Sequence, residues 1–243
     1  MGFYDKVANR IGYDFSKIKI KQVVKTWNYE EVTAKYLKDM LNILDIGCGD
    51  GLFLIKNSNK FKNGYGIDSS RNMIKCANKN LEKSKKKNIK FKIASAYRLP
   101  FKNSTFDIVM CRQAPYGAKE VYRVLKQNGV FIFQHIGNKD KQNLVNIFGR
   151  GQMYKIKEDK LKKNKKRLEN VKFRILETKE KNPTEYYKTE DDLIFLLKNT
   201  PIVKNFNIKK DKRHLEKFIN KYKTKEGIKT NTHRFLIVAK KII

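Results

Sequence analysis

An apolar run that ends in an acid and then enters a glycine-rich turn constrains this chain more than any other feature. Residues 43–51 read ILDIGCGDG, with Gly47, Gly49 and Gly51 at alternate positions. A second apolar run ends at Asp68, seventeen positions after Gly51. In an α/β unit, a carboxylate at the end of the second strand is placed to hold the hydroxyls of a nucleoside ribose. The two segments together predict a binding site for an adenosine-containing cofactor.

The spacing of these glycines argues against a dinucleotide. The fingerprint G-x-G-x-x-G/A requires a small residue five positions after its first glycine, and counting from Gly47 that position is Leu52. Counting from Gly49 fails as well. A Gly-x-Gly-x-Gly turn brings the backbone close to a ligand without phosphate, and the preceding Asp45 suits a cationic amino-acid group. S-adenosylmethionine has an amino group, a sulfonium and a ribose, so it fits this pattern.

Four further segments follow in order: GIDSS at 66–70, SAYRLPF at 95–101, STFDIV at 104–109 and EVYRVLKQNG at 120–129. Together with residues 43–51 they resemble the motifs of the class I S-adenosylmethionine-dependent methyltransferases, of the type 11-like kind. The resemblance implies an α/β fold with a Rossmann-like, doubly wound, mostly parallel seven-stranded sheet. It also implies an antiparallel last strand, a small helical cap, S-adenosyl-L-methionine as cofactor, and methyl transfer by in-line displacement.

The resemblance also implies which residues contact the cofactor. These are Asp45, Gly47, Cys48, Gly49, Gly51, Asp68, Ser69, Ser95, Ala96, Tyr97 and Cys111. Ser95 departs from the aspartate that usually opens the adenine loop, which leaves the backbone N–H of Ala96 as a contact that needs no particular side chain. The cysteines Cys48, Cys76 and Cys111 lack the spacing of metal ligands, so no metal site is predicted.

Two residues are candidates for catalysis. Arg112 follows the fourth strand of the motif series, where it can bind an anionic acceptor or pair with a carboxylate. His135 ends the fifth strand and is a candidate general base for an oxygen acceptor, although a histidine there is more often structural. Residues 113–116 (QAPY) partly resemble the Asn/Asp/Ser-Pro-Pro-aromatic motif of amino-methylating enzymes. The alternative is an ordinary loop that enters the next helix near Pro115.

The net charge of +32 bears on the methyl acceptor. A strongly basic chain suggests a nucleic-acid partner, but 46 of the 56 basic residues are lysine, whereas arginine is better suited to bidentate phosphate recognition. Compositional drift gives the same lysine excess, so both origins remain open. A small-molecule acceptor is expected from the branch that the 95–101 loop resembles. The alternatives are RNA held by the lysine-rich residues 155–172, and a non-catalytic cofactor-binding protein, which the substitution at Ser95 suggests.

The motifs divide the chain into an N-terminal helical or cap segment, 1–41, and a methyltransferase domain, 42–243. Within the domain, residues 42–137 are expected to hold the cofactor and residues 183–230 to cap the acceptor pocket, with help from the N-terminal segment. A final strand is expected over 232–240. The sequence has neither an apolar run of about 18 residues nor a signal-peptide pattern at its start. We therefore expect a cytoplasmic protein without a membrane partner.

Overall fold

The protein is described by a computed structural model over residues 2–12, 14–24 and 26–242, which form two sheets with helices packed on them. The strands in these residues are β1 (Ile20–Gln22), β2 (Asn42–Ile46), β3 (Asn63–Asp68), β4 (Ile89–Ile93), β5 (Phe106–Arg112), β6 (Leu125–Ile136), β7 (Phe173–Lys181), β8 (Thr184–Tyr187), β9 (Lys223–Thr224), β10 (Gly227–Asn231) and β11 (Arg234–Lys241). The α-helices are α1 (Phe3–Ile11), α2 (Tyr29–Ala34), α3 (Leu52–Lys56), α4 (Arg71–Ser84), α5 (Ala118–Val124), α6 (Gln142–Phe148), α7 (Lys160–Glu169), α8 (Glu190–Asn199) and α9 (Lys212–Tyr222).

The larger sheet has seven strands in the order β4-β3-β2-β5-β6-β11-β7. Strands β2 to β6 are parallel to one another, and β11 runs antiparallel between β6 and β7. The chain moves outward from β2 to β4 and then returns to begin again at β5, so the strand order reverses between β2 and β5. The predicted α/β fold is thereby confirmed, including the antiparallel last strand, which was expected at 232–240 and lies at Arg234–Lys241.

The larger sheet is buried on both faces, as parallel sheets require. Alternate residues of β6 show this, because Phe131 and Phe133 belong to one apolar cluster and Ile132 to another. Helix α4 covers part of the sheet and begins at a well-defined cap, where the Ser70 hydroxyl accepts the N–H of Met73. A side-chain oxygen at this position satisfies one of the backbone donors that the first helical turn leaves unpaired.

The second sheet forms the cap and is entirely antiparallel, with the order β1-β8-β10-β9. Its strands β8 and β10 alternate inward and outward residues, and the inward Tyr187 and Ile228 pack on α6, α8 and α9 in a separate apolar core. The cap was predicted to be helical, but part of it is a sheet, because β1 pairs with β8 across a long separation in sequence (Ile20 opposite Tyr187).

The N-terminal segment joins the cap to the larger sheet. Helix α1 packs on α4, where the Ser70 hydroxyl donates a hydrogen bond to Asp5. At its other end, the guanidinium of Arg10 donates to the carbonyl of Lys198 in α8 at 2.7 Å. Among the described helices, none combines the length and the apolar character needed to cross a membrane.

Candidate active site

A cavity of about 550 Å³ lies where β2, β3, β4 and β5 end. The loops that follow these four strands form most of its wall, as expected for an open α/β sheet near the reversal of strand order. Three aromatic residues from the N-terminal segment, Tyr4, Phe15 and Tyr29, complete it. The loops of the cavity wall were identified by the sequence motifs. The aromatic residues that cover the cavity were not.

A hydrogen bond joins the glycine turn to the acid on the neighbouring strand. The N–H of Gly49 donates to Oδ2 of Asp68 at 3.2 Å, and the N–H of Ser70 donates to Oδ1 at 2.9 Å. The turn is also fixed to β3 through the N–H groups of Gly47 and Cys48, which both donate to the carbonyl of Ile67. The two features that dominate the sequence therefore meet at one edge of the cavity.

Two glycines of the turn occupy positions that other residues would strain. Gly47 has φ +73°, and a Cβ there would lie 2.2 Å from the Cβ of Ala114 in the loop after β5. Gly51 has φ +74° at the start of α3, and a Cβ would lie 2.4 Å from the Phe91 ring. Both constraints come from the positive φ and from packing, against the loop after β5 at Gly47 and against β4 at Gly51. They show why glycine is required there without reference to a ligand.

The cavity carries three carboxyl groups with raised pKa values. Burial raises the pKa of Asp45 to about 7, against a smaller opposing effect of Arg112. Burial also raises the pKa of Asp50 and of Asp68, although backbone N–H groups partly offset the shift at Asp68. Each shift has the same main cause, removal of the carboxylate from water without full compensation by a cation. A positively charged ligand would supply that compensation.

The two basic residues of the described lining, Lys56 and Arg112, each contact another lining residue, and four acidic residues line the same cavity. The ammonium of Lys56 pairs with Glu30 at 2.7 Å. The guanidinium of Arg112 lies over the Tyr29 ring, 5.5 Å from its centroid. Acidic groups therefore dominate the wall in a chain whose net charge is +32. This local reversal of sign favours a cationic ligand over a phosphate.

Nine of the eleven residues predicted to contact the cofactor line the cavity, and two do not: Gly51 and Cys111. Gly51 lies against Phe91 at the start of α3. Cys111 is fully buried, and its Sγ donates to the carbonyl of Ala114 at 3.3 Å. Burial raises the pKa of the Cys111 thiol, which keeps it neutral. Both residues support the loops that form the wall.

The two candidate catalytic residues lie in different places. Arg112 lines the cavity. His135 is outside the described lining, with its ring packed near those of Phe133 and Phe235. Burial lowers the pKa of His135 to about 4, so the ring is neutral near pH 7. The geometry gives His135 no contact with the site, and its role as a general base stays a prediction.

The loop after β5 does not present its aromatic residue to the cavity. Tyr116 is buried among Phe131 and Phe133, and its hydroxyl donates to Oδ1 of Asn164 at 3.1 Å. Arg167 of α7 lies over the Tyr116 ring and donates to its carbonyl at 2.7 Å. An amino-methylating motif needs that ring beside the target amine. The structure therefore favours the alternative, a structural loop, although Gln113, Ala114 and Pro115 do line the cavity.

Several lining residues were not identified from the sequence. Asp50 lies between two glycines of the turn, so its position in the sequence could have identified it as a lining residue. Tyr4, Phe15 and Tyr29 come from the segment before β2, where no motif marks them. Their presence agrees with the expectation that the N-terminal segment helps to cover the pocket. No described lining residue comes from 183–230, so the covering role of that segment stays a prediction.

Known proteins resemble this chain in sequence and in fold. Residues 37–155 match the family described as "Methyltransferase domain". An uncharacterized protein of Methanocaldococcus jannaschii is 32% identical over 180 residues, which cover 70% of this chain and 64% of that one. A demethylmenaquinone methyltransferase of Lactococcus lactis is 32% identical over 139 residues, or 51% of this chain and 54% of that one. The matches thus span less than two thirds of either relative.

The fold is that of solved methyltransferase-like structures. The crystal structure of YcgJ from Bacillus subtilis superposes with a TM-score of 0.66 at 17% identity, covering 88% of this chain and 98% of that one. A putative methyltransferase from Bacillus halodurans gives the same TM-score at 18% identity, covering 87% of this chain and 98% of that one. With the motifs, the sheet order and these similarities combined, residues 37–155 belong to a methyltransferase domain of the class I S-adenosylmethionine-dependent kind.

Proposed function

We propose that the protein binds S-adenosylmethionine in the cavity at the ends of β2 to β5 and transfers its methyl group to an acceptor. The observation that carries this proposal is the acidic wall of the cavity. The glycine turn forms part of that wall, in a chain whose net charge is +32. When bound, S-adenosylmethionine supplies a methyl group activated on a sulfonium, which passes to a nucleophilic atom of the acceptor and leaves S-adenosylhomocysteine.

The residues of the wall fit that cofactor. Both oxygens of Asp68 already accept backbone N–H groups, and their remaining lone pairs are available to ribose hydroxyls. Asp45 supplies negative charge beside the glycine turn for the amino group. In the adenine loop, the Ser95 hydroxyl accepts the N–H of Tyr97 at 3.2 Å. Ser95 therefore shapes the loop, and Ala96 is left to meet the adenine through its backbone.

The chain contributes mainly by positioning and by excluding water. The sulfonium is already a good leaving group, so orientation of the acceptor can supply much of the rate enhancement. Phe15 contacts Phe195 of α8, with ring centroids 6.1 Å apart, and so connects the cover to the cap. Arg112, on the wall next to the loop after β5, is placed to orient an acceptor that carries negative charge.

Two acceptor classes have support. A small molecule is supported by relatives named as demethylmenaquinone methyltransferase and as ubiquinone/menaquinone biosynthesis C-methyltransferase, which match about half of this chain or less. RNA is supported by a basic groove that adjoins the cavity, described below. The first class predicts an acceptor that enters the cavity whole, and the second predicts an acceptor held mainly outside it.

Calorimetric titration with S-adenosylhomocysteine tests the proposal. We expect binding to the unmodified protein and a strong loss of affinity for both Gly49→Leu and Asp68→Ala, because one fills the turn and the other removes the ribose ligand. Lys86→Ala is the control, since Lys86 is exposed and distant from the lining residues. Unchanged affinity in both site variants would show that the site is misplaced. A screen with labelled methyl donor against RNA and small metabolites then identifies the acceptor class.

A further inference from the structure

A second concave surface lies beside the cofactor cavity, between helices α5 and α7. This α5–α7 groove has a volume of about 800 Å³. Its basic side chains are Lys119, Lys162, Lys163, Lys166 and Arg167. Neither the methyl-transfer site nor the sheet core uses its lysines, so the groove needs a separate explanation.

The three α7 lysines that line the groove, Lys162, Lys163 and Lys166, are exposed to solvent. The side chains of Lys162 and Lys163 are 86% and 61% exposed. Their pairings with Asp159 and Glu158 are themselves exposed, and such surface ion pairs contribute little to stability. The helix sequence KLKKNKKRLE is mostly basic around a single fully buried residue, Leu168. Helix packing therefore does not account for the charge on its outer face.

The α5–α7 groove adjoins the cofactor cavity. Tyr97 lines both, and 60% of its surface is exposed. On the other side of the boundary, Pro115 lines the cavity and Gly117 lines the groove, and the N–H of Gly117 donates to the carbonyl of Ala96 at 3.0 Å. An exposed aromatic ring thus stands between a row of lysines and the candidate methyl-transfer site.

We propose that the α5–α7 groove binds single-stranded RNA, with the lysines of α7 on its phosphates and Tyr97 stacked on a base next to the cofactor cavity. A positively charged groove with an aromatic platform is the usual arrangement for single strands, because every base offers a face for stacking. A duplex would hide those faces, so an unpaired strand is the better match. The binding stands on the groove alone, whereas methylation of the bound strand rests on the proposed function.

The acidic residues of the groove favour RNA over DNA. Glu120, Glu158 and Asp159 line it together with the basic residues. Carboxylates repel a backbone that offers only phosphates, but the 2′-hydroxyl of ribose is a hydrogen-bond donor that they can accept. A groove of mixed sign therefore fits a strand that carries both phosphates and hydroxyls.

The same helix also holds the loop that lines the cavity. Arg167 and Asn164 contact Tyr116, which directly follows the lining residue Pro115. A strand seated on the outer face of α7 would therefore lie on an element fixed to the wall of the methyl-transfer site. This places the proposed RNA where its bases can reach the cavity mouth.

Fluorescence anisotropy with a labelled single-stranded RNA of about 12 nucleotides, within the site sizes of single-strand binders, tests the proposal. The triple variant Lys162→Glu, Lys163→Glu, Lys166→Glu is compared with a matched control, Lys83→Glu, Lys86→Glu, Lys87→Glu. The control lysines are exposed at the end of α4 and beyond it, outside both concave surfaces, and the two triples change net charge equally. Circular dichroism and the urea denaturation midpoint of each variant, compared with those of the unmodified protein, verify that it folds.

We expect the groove triple to lose at least about tenfold in RNA affinity and its log–log salt slope to become shallower by about 2, since each phosphate contact contributes roughly 0.7 on a single strand. Tyr97→Ala should weaken binding about 5- to 150-fold, the range for loss of one stacked base, while Tyr97→Phe retains it. A matched DNA strand and an RNA duplex should bind more weakly than the single-stranded RNA.

Three results would overturn the proposal. Equal losses of RNA affinity in the two triple variants would mean that binding depends on net charge alone. Equal affinity for RNA and DNA would remove the assignment to RNA, and affinity unaffected by salt would remove the phosphate contacts. Failure of the proposed function gives a different pattern: RNA would bind through the groove, but S-adenosylhomocysteine would not bind to the unmodified protein.

Discussion

Replacing Asp45 by asparagine should stabilise the protein without its cofactor and weaken cofactor binding. Asp45 is 6% exposed, and its pKa is raised to about 7 because burial penalises the charged form. A group with this shift binds a proton in the folded state but not in the unfolded state between pH 3.8 and about 7. Its contribution to the free energy of unfolding is therefore present at low pH and lost as the pH rises through that window.

The size of the effect follows from the shift. Each pH unit within the window costs about 1.4 kcal/mol, so the loss between pH 5 and pH 8 is about 3 kcal/mol. Asp45→Asn has no such titration. The free energy of unfolding of Asp45→Asn, relative to that of the unmodified protein, should thus rise by about 3 kcal/mol from pH 5 to pH 8. Urea denaturation of the ligand-free proteins at both pH values measures this difference.

Cofactor binding should favour the unmodified protein, whereas stability without the cofactor favours Asp45→Asn. A cation beside Asp45 favours the carboxylate, so affinity for S-adenosylmethionine should rise with pH towards and through 7 in the unmodified protein. Asp45→Asn should bind more weakly and show little of this dependence in calorimetry. If the stability difference between the two proteins is the same at pH 5 and pH 8, Asp45 does not titrate in this range and the electrostatic account of the cavity is wrong.

Three other changes test separate features. Gly47→Ala should cost about 1–3 kcal/mol in urea denaturation and weaken binding of S-adenosylhomocysteine, because its Cβ would meet Ala114 at a positive φ; adding Ala114→Gly should restore part of both, and no recovery would contradict the clash. His135→Asn should leave the methyl-transfer rate within about threefold, whereas a loss of about 100-fold or more would identify a general base after all. Lys141 and Glu185 form a buried ion pair, so Lys141→Met alone should destabilise by about 3–5 kcal/mol, and the double variant with Glu185→Leu should recover most of it. Equal destabilisation by the single and double variants would show that the pair is not coupled.

Features encoded by neighbouring residues could be predicted from the sequence. The alternation of strands and helices from β2 to β6 follows from apolar runs and turns within short segments. The seven-stranded sheet with its antiparallel last strand is what the resemblance to the methyltransferase motifs implied. Residues 43–51 predicted that Asp45, Gly47 and Gly49 lie at the cavity. Asp68 was predicted equally well, because the end of a parallel strand brings its side chain to the same edge of the sheet as its neighbours.

Features formed between distant residues could not be predicted. Strand β1 has three exposed residues and exists through its pairing with β8, about 165 positions later in the chain, as Ile20 opposite Tyr187 shows. Tyr29 lies in the cavity because α2 packs beside it, and the residues around Tyr29 in the sequence do not indicate that packing. Gly51 and His135 were predicted at the functional edge, but neither is among the described lining residues. The backbone of Gly51 packs against Phe91 and the His135 ring lies near Phe235, and neither contact can be read from the local sequence.

The position of β11 has a consequence for synthesis of the protein. Strand β7 pairs within the described sheet through β11 alone, and β11 also supplies the outer partner of β6. The ribosome makes β11 after all the other strands described. The half of the sheet that forms the glycine turn can assemble early, while β7 must wait with unpaired backbone groups until residues 234–241 emerge. A nascent chain stalled before that point would expose two strand edges open to wrong pairing, so chaperone dependence should be greatest late in translation.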